Sequence, residues 1–214
     1  MSASEDAVRM RIATELDVSR ETMAALDTYA ARLLHWTQAI NLVSKHDRDR
    51  LWSRHIADSL GLAPWLPSSG VWMDVGSGGG LPVLPLAIVS RETRPDLEFV
   101  AVESDQRKAT FLREAAHAVN VSMRVRSERI ETIEPGRASV LSMRAFDNVA
   151  GCVAKTAGFL RSGASLYLLK GDRVFGELTE AALKWHIRFV IEPNKLTRNG
   201  NVLIIREASR AENS

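Results

Sequence analysis

The sequence has 214 residues, 45% of them hydrophobic and 25% charged, with a formal net charge of +2. This composition excludes a globally disordered chain, and apolar runs such as 81–89 are far shorter than the roughly 20 residues that span a bilayer. The single cysteine excludes an intrachain disulfide and a cysteine-rich metal site, and the first residues lack the features of a signal peptide. We therefore expect a monomeric cytoplasmic protein with no membrane partner.

The first part of the chain, residues 1–69, is expected to form an N-terminal helical extension. Apolar residues recur at spacings of three and four over 20–40, which predicts a helix with Ser19 as its N-cap. A second helix is expected over 48–60, with Asp47 as its N-cap. A connection rich in proline and serine follows it.

Strands and helices alternate through residues 70–207, which predicts an α/β fold with a doubly wound, mostly parallel sheet and helices on both faces. The predicted strands cover 71–75, 97–103, 123–126, 140–144, 165–170, 187–191 and 202–206. The helices between them cover 82–90, 105–119 and 147–160. The last two of the seven strands are expected to pair as a hairpin, and residues 208–214 to form a flexible tail.

Ligands of such sheets bind at the carboxyl ends of the strands, so we expect the site in the loops after Val75, Val102, Arg126 and Met143. The first loop is rich in glycine and reads Asp74-Val75-Gly76-Ser77-Gly78-Gly79-Gly80. Its glycines let the backbone turn sharply and approach a ligand closely, although a flexible surface turn is the plainer interpretation. A dinucleotide fingerprint is incomplete because Leu81 takes the third glycine position, and no Gly-Lys-Ser/Thr of a P-loop follows.

An acidic residue, Glu103, ends the second predicted strand. A carboxylate at this place can accept hydrogen bonds from both hydroxyls of a ribose, unless it is an ordinary charged strand end. Ser104 is expected to cap the following helix. The glycine loop and this acid together resemble the class I S-adenosylmethionine-dependent methyltransferases, which implies a Rossmann-like fold and S-adenosyl-L-methionine as cofactor.

The residues also limit the methyl acceptor. A cytosine-C5 enzyme needs a cysteine nucleophile near the cofactor, whereas Cys152 falls inside a predicted helix. The Asn/Asp-Pro-Pro-aromatic loop of adenine-type enzymes is missing from the sequence. A nitrogen with a free lone pair, such as guanine N7, needs no base and requires mainly alignment with the sulfonium methyl.

Further motifs resemble one family of such enzymes. Asn41-Leu42-Val43-Ser44 precedes Arg54-His55-Ile56-Ala57-Asp58-Ser59-Leu60, and similar motifs follow at 74–86, 103–112, 142–146 and 169–171. Together they resemble the bacterial small-subunit ribosomal RNA guanine-N7 methyltransferases, also called glucose-inhibited division protein B. The resemblance implies methylation of N7 of a guanine in the 530 loop (position 527) of 16S ribosomal RNA, with that RNA or the small ribosomal subunit as partner.

The candidate residues fall into two groups. The cofactor-binding candidates are Asp74, Gly76, Ser77, Gly78, Leu81, Glu103, Ser104, Ile130, Glu131 and Arg144. The resemblance alone places Ile130 and Glu131 on the adenine side, and Arg144 beside the methionine end or the target base, as the one catalytic candidate. The RNA-binding candidates are Lys45, Arg54, His55, Arg107, Lys108 and Lys170.

The plainer interpretation of the second group is solvated or packing charge, and Arg54 and Asp58 are spaced for an i,i+4 ion pair. The sequence also departs from the family pattern at two positions. Val83 stands where members often have one more glycine. An arginine that is common close to the position of Asn201 is missing there, and Arg198 is a candidate substitute.

Three alternatives remain open. A class I methyltransferase with a protein or small-molecule acceptor would have the same cofactor loop. A nicotinamide oxidoreductase is disfavoured by Leu81. A non-enzymatic RNA-binding protein could keep the same fold without transferring a methyl group.

Overall fold

The computed structural model describes residues 3–197 and 199–211, so Arg198 lies outside the described residues. Within these two ranges the chain forms strands β1 (Ser69–Val75), β2 (Asp96–Val102), β3 (Met123–Arg126), β4 (Val140–Arg144), β5 (Ser165–Lys170), β6 (Trp185–Pro193) and β7 (Asn201–Arg210). Its α-helices are α1 (Ala3–Glu15), α2 (Arg20–Trp36), α3 (Ala57–Leu60), α4 (Val83–Ser90), α5 (Gln106–Ala118), α6 (Val149–Arg161) and α7 (Val174–Ala182).

The strands form one sheet in the order β3-β2-β1-β4-β5-β7-β6. The neighbours among β1 to β5 are parallel, whereas β7 is antiparallel to both β5 and β6. The predicted α/β fold with a mostly parallel seven-stranded sheet is therefore confirmed, and the predicted hairpin is β6–β7. The carboxyl ends of β1, β2, β4 and β5 consequently meet at one edge of the sheet.

Helices cover both faces of the sheet and bury two hydrophobic cores. α4 and α5 contribute to one core, and α6 and α7 contribute to the other. Successive strand residues alternate between the faces, so Trp72 belongs to the first core and Met73 to the second. Among the described residues, no helix combines the length and the apolarity needed to cross a bilayer.

The N-terminal helices share the first core with the sheet. Leu26 and Leu33 of α2 are buried in the same cluster as Trp72. α2 begins after Ser19, whose Oγ accepts a hydrogen bond from the Thr22 N–H at 3.1 Å, as the sequence predicts. The extension therefore packs onto the sheet as part of its core.

The helix predicted over 48–60 is present only from residue 51 to residue 60, and it is irregular. This segment consists of a 3₁₀ turn over Lys45–Arg50, a π-helical turn over Trp52–Ile56 and the short helix α3. Asp47 caps no helix, because it lies inside the 3₁₀ turn and its Oδ2 accepts a hydrogen bond from Ser44 Oγ at 2.7 Å. π-helical turns are rare and occur frequently at functional sites.

The prediction of Ser104 as the cap of α5 is also wrong. Asp105 caps this helix, because its Oδ1 accepts hydrogen bonds from the N–H groups of Arg107 at 2.8 Å and Lys108 at 3.3 Å. Both residue types are good caps, and Ser104 comes one residue too early.

The last strand is longer than expected. β7 continues to Arg210, so residues 208–210 pair with β6 and are not a flexible tail. Residues 212–214 of that predicted tail lie outside the described residues. α7 was not predicted, because it contains Gly176 and buries only Val174 and Ala181.

Candidate functional site

The glycine loop lies at the carboxyl edge of the sheet, between the ends of β1 and β2. Val75 and Val102 are register partners at these ends. The N–H groups of Gly76 and Ser77 donate to the Val102 carbonyl at 2.9 and 3.1 Å. The loop is therefore fixed to the strand that carries Glu103.

Three glycines of the loop, Gly76, Gly78 and Gly80, adopt left-handed backbone conformations. Gly76 has a φ of 70° and Gly78 a φ of 51°. A Cβ on Gly76 would stand 2.3 Å from the ring of Phe146, whereas a Cβ on Gly78 would meet no atom closer than 3.8 Å. Gly76 is thus required by the close approach of Phe146, while the backbone of Gly78 faces open space that a ligand can enter.

The carboxylate of Glu103 is oriented by backbone groups. Its Oε2 accepts a hydrogen bond from the Gly78 N–H at 2.8 Å, and its Oε1 accepts one from the Asp105 N–H at 2.8 Å. Because each carboxylate oxygen has a second lone pair, both oxygens can still accept a hydrogen bond from a ligand. Two adjacent hydroxyl groups fit this acceptor pair.

Asp74 lies beneath the loop and is only 1% exposed. Its Oδ1 accepts a hydrogen bond from Ser142 Oγ at 2.7 Å, and that hydroxyl in turn accepts one from Trp72 Nε1 at 2.9 Å. Its Oδ2 has no hydrogen-bond partner in the part of the chain that the structure describes. Burial raises the pKa of Asp74 to about 6, even though the hydrogen bond from Ser142 opposes this rise.

Sequence reasoning missed Tyr29, which fixes the loop from the other side. The Tyr29 hydroxyl donates to the Gly79 carbonyl at 2.6 Å, and both groups are buried. The only signal in the sequence is a tyrosine on the apolar side of a helix, because a buried tyrosine hydroxyl needs a partner. Helix α2 is thereby attached to the glycine loop.

Arg144 ends β4 and is held by the N-terminal segment. Its Nε donates to Asp58 Oδ2 at 2.8 Å, and its Nη2 donates to the Arg54 carbonyl at 3.1 Å and lies 2.8 Å from His55 Nδ1. The expected ion pair between Arg54 and Asp58 is therefore wrong. Asp58 pairs with Arg144 instead, and Arg54 Nε lies 3.9 Å from Asp47 Oδ1.

His55 serves Arg144 as a neutral acceptor. Burial and the positive charge of Arg144 lower the pKa of His55 to about 4. Since Nδ1 faces the guanidinium, the proton of the neutral ring is on Nε2, which lies 3.6 Å from Asp47 Oδ2. His55 is buried, so in this arrangement it orients Arg144 from beneath the surface.

A second residue that sequence reasoning missed is Asn194, in the turn between β6 and β7. It is 1% exposed, and its Nδ2 donates to the Asp58 carbonyl at 2.9 Å and to Asp58 Oδ1 at 3.3 Å. Its own Oδ1 accepts a hydrogen bond from the Leu196 N–H at 3.0 Å. Asp58 therefore connects Arg144 to the hairpin, and no local sequence pattern indicates a contact between residues so far apart in the chain.

A cleft of about 940 Å³ opens beside Arg144. Its walls are formed by α1, the segment that carries Arg54 and Asp58, the ends of β4 and β5, and the β6–β7 turn. Small-molecule sites typically have volumes of about 300–1,000 Å³. The cleft is therefore large enough to admit a nucleotide, although neither the glycine loop nor Glu103 belongs to its lining.

Lys170 lines this cleft, but its ammonium group is already paired. Its Nζ donates to Glu177 Oε2 at 2.7 Å and to the Asp147 carbonyl at 2.7 Å. Glu177 Oε2 also accepts a hydrogen bond from the Val149 N–H at 3.0 Å. Lys170 thus closes the turn after β5, which agrees with the plainer interpretation of this residue as packing charge.

The other cofactor-binding candidates occupy different environments. Leu81 and Ile130 are buried in the two cores, whereas Ser104 and Glu131 are exposed.

Of the remaining RNA-binding candidates, Lys45, Arg54 and Arg107 are exposed and Lys108 is half-buried. Two positions depart from the family pattern. Val83 is buried at the start of α4, and Asn201 of β7 is the register partner of Lys170 in β5. Within residues 3–197 and 199–211, His, Cys, Asp and Glu side chains form no cluster that could hold a metal ion.

The amino-acid sequence is similar to that of many named proteins. The GidB family model, described as rRNA small subunit methyltransferase G, matches residues 22–206. A protein of that name from Granulibacter bethesdensis is 42% identical, over 90% of this chain and 89% of the relative. Another from Ruegeria pomeroyi is 41% identical, over 83% and 87% of the two chains. One from Methylobacterium nodulans is 39% identical, over 98% of each.

Solved structures share the fold at low sequence identity. The ribosomal protein L11 methylase of Lactobacillus delbrueckii subsp. bulgaricus superposes with a TM-score of 0.53 at 12% identity, over 73% of this chain and 77% of that one. TYW2 of M. jannaschii, solved in complex with AdoMet, gives a TM-score of 0.52 at 14% identity, over 81% and 80%. The predicted class I methyltransferase fold is confirmed, and with the sequence relatives it shows that the chain belongs to the rRNA small subunit methyltransferase G (GidB) family.

Proposed function

We propose that this chain transfers a methyl group from S-adenosyl-L-methionine to N7 of a guanine in the 530 loop (position 527) of 16S ribosomal RNA. The observation that carries the proposal is that the glycine loop, the Glu103 carboxylate and Arg144, which lines the cleft, lie at the same edge of the sheet in a member of this family. The proposal includes action as a monomer in the cytoplasm, on the RNA or on the small ribosomal subunit.

The residues at the edge fit the proposed cofactor. The free lone pairs of the two Glu103 oxygens suit the two hydroxyls of the ribose, and the backbone of Gly78 leaves room beside them. Asp74 is buried under the loop, so it supports the cationic methionine end through its negative charge and not through a direct contact. Ile130 and Glu131 stay assigned to the adenine side by resemblance, without a contact in the structure that supports them.

When bound, the cofactor supplies a methyl group on a positively charged sulfur. The guanine N7 lone pair forms the new N–C bond, the S–C bond breaks, its electron pair stays on sulfur, and the positive charge moves to the base. No proton leaves N7 in this step, so a general base is not required. The protein has to align N7 with the methyl carbon, which is the main source of acceleration in such a transfer.

Arg144 is the candidate for this alignment. Its guanidinium is fixed by Asp58, the Arg54 carbonyl and His55, so it can hold a substrate group in one orientation. The Asp58 carboxylate also balances its charge, which reduces the repulsion that a sulfonium would otherwise meet at this edge.

The exposed residues Lys45 and Arg54, on the segment next to the cleft, are the proposed contacts to RNA phosphates, and Arg107 and Lys108 at the start of α5 extend them. Lys170 contributes to RNA binding only by shaping the end of β5, because its charge is paired with Glu177.

Transfer of labelled methyl groups tests the proposal. Unmethylated small ribosomal subunits, protein-free 16S RNA and transfer RNA are incubated in parallel with the enzyme and S-adenosyl-L-methionine, and the labelled nucleosides are identified. We expect 7-methylguanosine in 16S RNA, at the predicted loop, and none in transfer RNA. Label at another atom or in another RNA, or no transfer to any RNA by protein that binds the cofactor, would refute the proposal.

A further inference from the structure

A second cavity lies at the opposite end of the sheet from the glycine loop. It has a volume of about 490 Å³ and is lined by Arg161, Arg188, Arg206, Glu207, Gly163 and Ser165 among others. Ser165 begins β5, whereas the cleft described above lies where β5 ends. The two ends are about 17 Å apart at 3.3 Å per residue, so this arginine cavity is separate from the methyl-transfer site.

The arginine cavity has an excess of positive charge. Three guanidinium groups and one carboxylate line it, and Glu207 pairs with its cross-strand partner Arg188. Arg161 and Arg206 form no ion pair within residues 3–197 and 199–211. Two exposed guanidinium groups are therefore available to an anionic ligand at one place.

The residue type indicates which anion fits. A guanidinium presents a planar fork of N–H donors that matches two oxygens of one phosphate, and it holds its charge at every physiological pH. Arg161 at the end of α6 and Arg206 of β7 face the same cavity from different elements, so neighbouring phosphates of one strand could bind both. A nucleic-acid backbone offers such a row of phosphates.

We propose that the arginine cavity binds backbone phosphates of the ribosomal RNA substrate at a point remote from the methylated guanine; this inference rests on the proposed function. Phosphate contacts fix the position and orientation of a protein on RNA without reading its sequence. A contact at each end of the sheet limits how the molecule can rotate on its substrate, which the contacts near the cleft alone do not achieve.

The double variant Arg161→Ala/Arg206→Ala tests this inference by binding measurements without cofactor. Its affinity for 16S RNA is expected to fall about tenfold, and the slope of log affinity against log salt to decrease by about 1.5, because two phosphate contacts are lost. Cofactor affinity and kcat at saturating RNA are expected to stay at wild-type values. The matched control is Arg20→Ala/Arg124→Ala, which removes the same charge from the start of α2 and from edge strand β3.

A second double variant distinguishes the effect of the lost charge from an effect of the substitutions on folding. Arg161→Lys/Arg206→Lys keeps both charges, so it is expected to recover the salt slope but only part of the affinity, since lysine lacks the planar fork. Equal affinity and equal slope for the alanine variant and its control would overturn the inference. A loss on assembled subunits but not on protein-free RNA would also overturn it, because the cavity would then bind a protein. Failure of the proposed function shows up separately, as absence of methyl transfer by the wild type.

Discussion

At the scale of single residues, the two carboxyl groups near the glycine loop differ in what surrounds them. Glu103 has both oxygens hydrogen-bonded to backbone N–H groups, and each oxygen keeps a second lone pair. Asp74 is buried, and one of its oxygens has no partner among the residues that the structure describes. Glu103 should therefore matter mainly for cofactor affinity, and Asp74 mainly for how stability depends on pH.

Replacing Glu103 with alanine is expected to weaken cofactor binding. The loss of hydrogen bonds to a charged group costs about 1–3 kcal/mol, which raises the dissociation constant about five- to 150-fold. Isothermal titration calorimetry measures this change directly. Glu98→Ala is the control, because Glu98 is an exposed residue of β2, the strand that Glu103 directly follows. An unchanged affinity of the Glu103 variant would remove Glu103 from the site.

Replacing Asp74 with asparagine is expected to change the pH dependence of stability. Burial raises the pKa of Asp74 from 3.8 to about 6, so folding favours the neutral form. The stabilising effect is therefore complete at pH values below the unfolded pKa and is lost as the pH rises through about 6. Relative to Asp74→Asn, the free energy of unfolding of the cofactor-free wild type should fall by roughly 2 kcal/mol between about pH 4 and pH 7. Urea unfolding measures it, and a constant difference between the two proteins would contradict the assignment.

At the scale of elements, the link from the β6–β7 turn to the end of β4 is expected to control the rate of transfer. Asn194→Ala removes both hydrogen bonds to Asp58, and Asp58→Asn removes the charge that holds Arg144. Because both changes misplace the same guanidinium, each is expected to lower kcat about tenfold with little change in cofactor affinity.

A double-mutant cycle tests this link. If Asn194 acts through Asp58, the combined variant should be little slower than either single variant, because the second change finds Arg144 already displaced. Additive losses would mean that the two residues act independently.

The elements also show what could be predicted from the sequence. The ends of the strands were predicted to within two residues, apart from the end of β7 at Arg210, because most buried parallel strands are continuous apolar runs bounded by turn residues. The irregular segment between Lys45 and Leu60 was not predicted, because the positions of its residues depend on contacts with distant parts of the chain and not on a local periodicity.

The site, too, could be predicted only in part. The loop and Glu103 follow from strand ends, whereas Tyr29 and Asn194 act across separations of 50 and 136 residues, which only the folded chain brings together.

At the scale of the whole molecule, the shared core predicts that the N-terminal helices and the sheet unfold together. A fragment that begins at residue 70 would expose the face of the sheet on which Leu26, Leu33 and Ile56 pack, so it is not expected to fold. The full chain should show one transition in urea by circular dichroism and by tryptophan fluorescence. The five tryptophans lie in both regions, and two separated transitions would show that the extension is a domain of its own.

The antiparallel direction of β7 has a practical consequence for such experiments. Ser4 lines the cleft, while β7 ends at Arg210, close to the arginine cavity. An affinity tag fused before Ala3 or after Arg210 would therefore begin beside one of the two proposed RNA contacts and disturb the binding under study. A label attached to a side chain away from both termini of the described chain avoids this disturbance. Because Cys152 is buried and burial raises its thiol pKa to about 11, a cysteine introduced at the exposed Glu98 should react first with a labelling reagent.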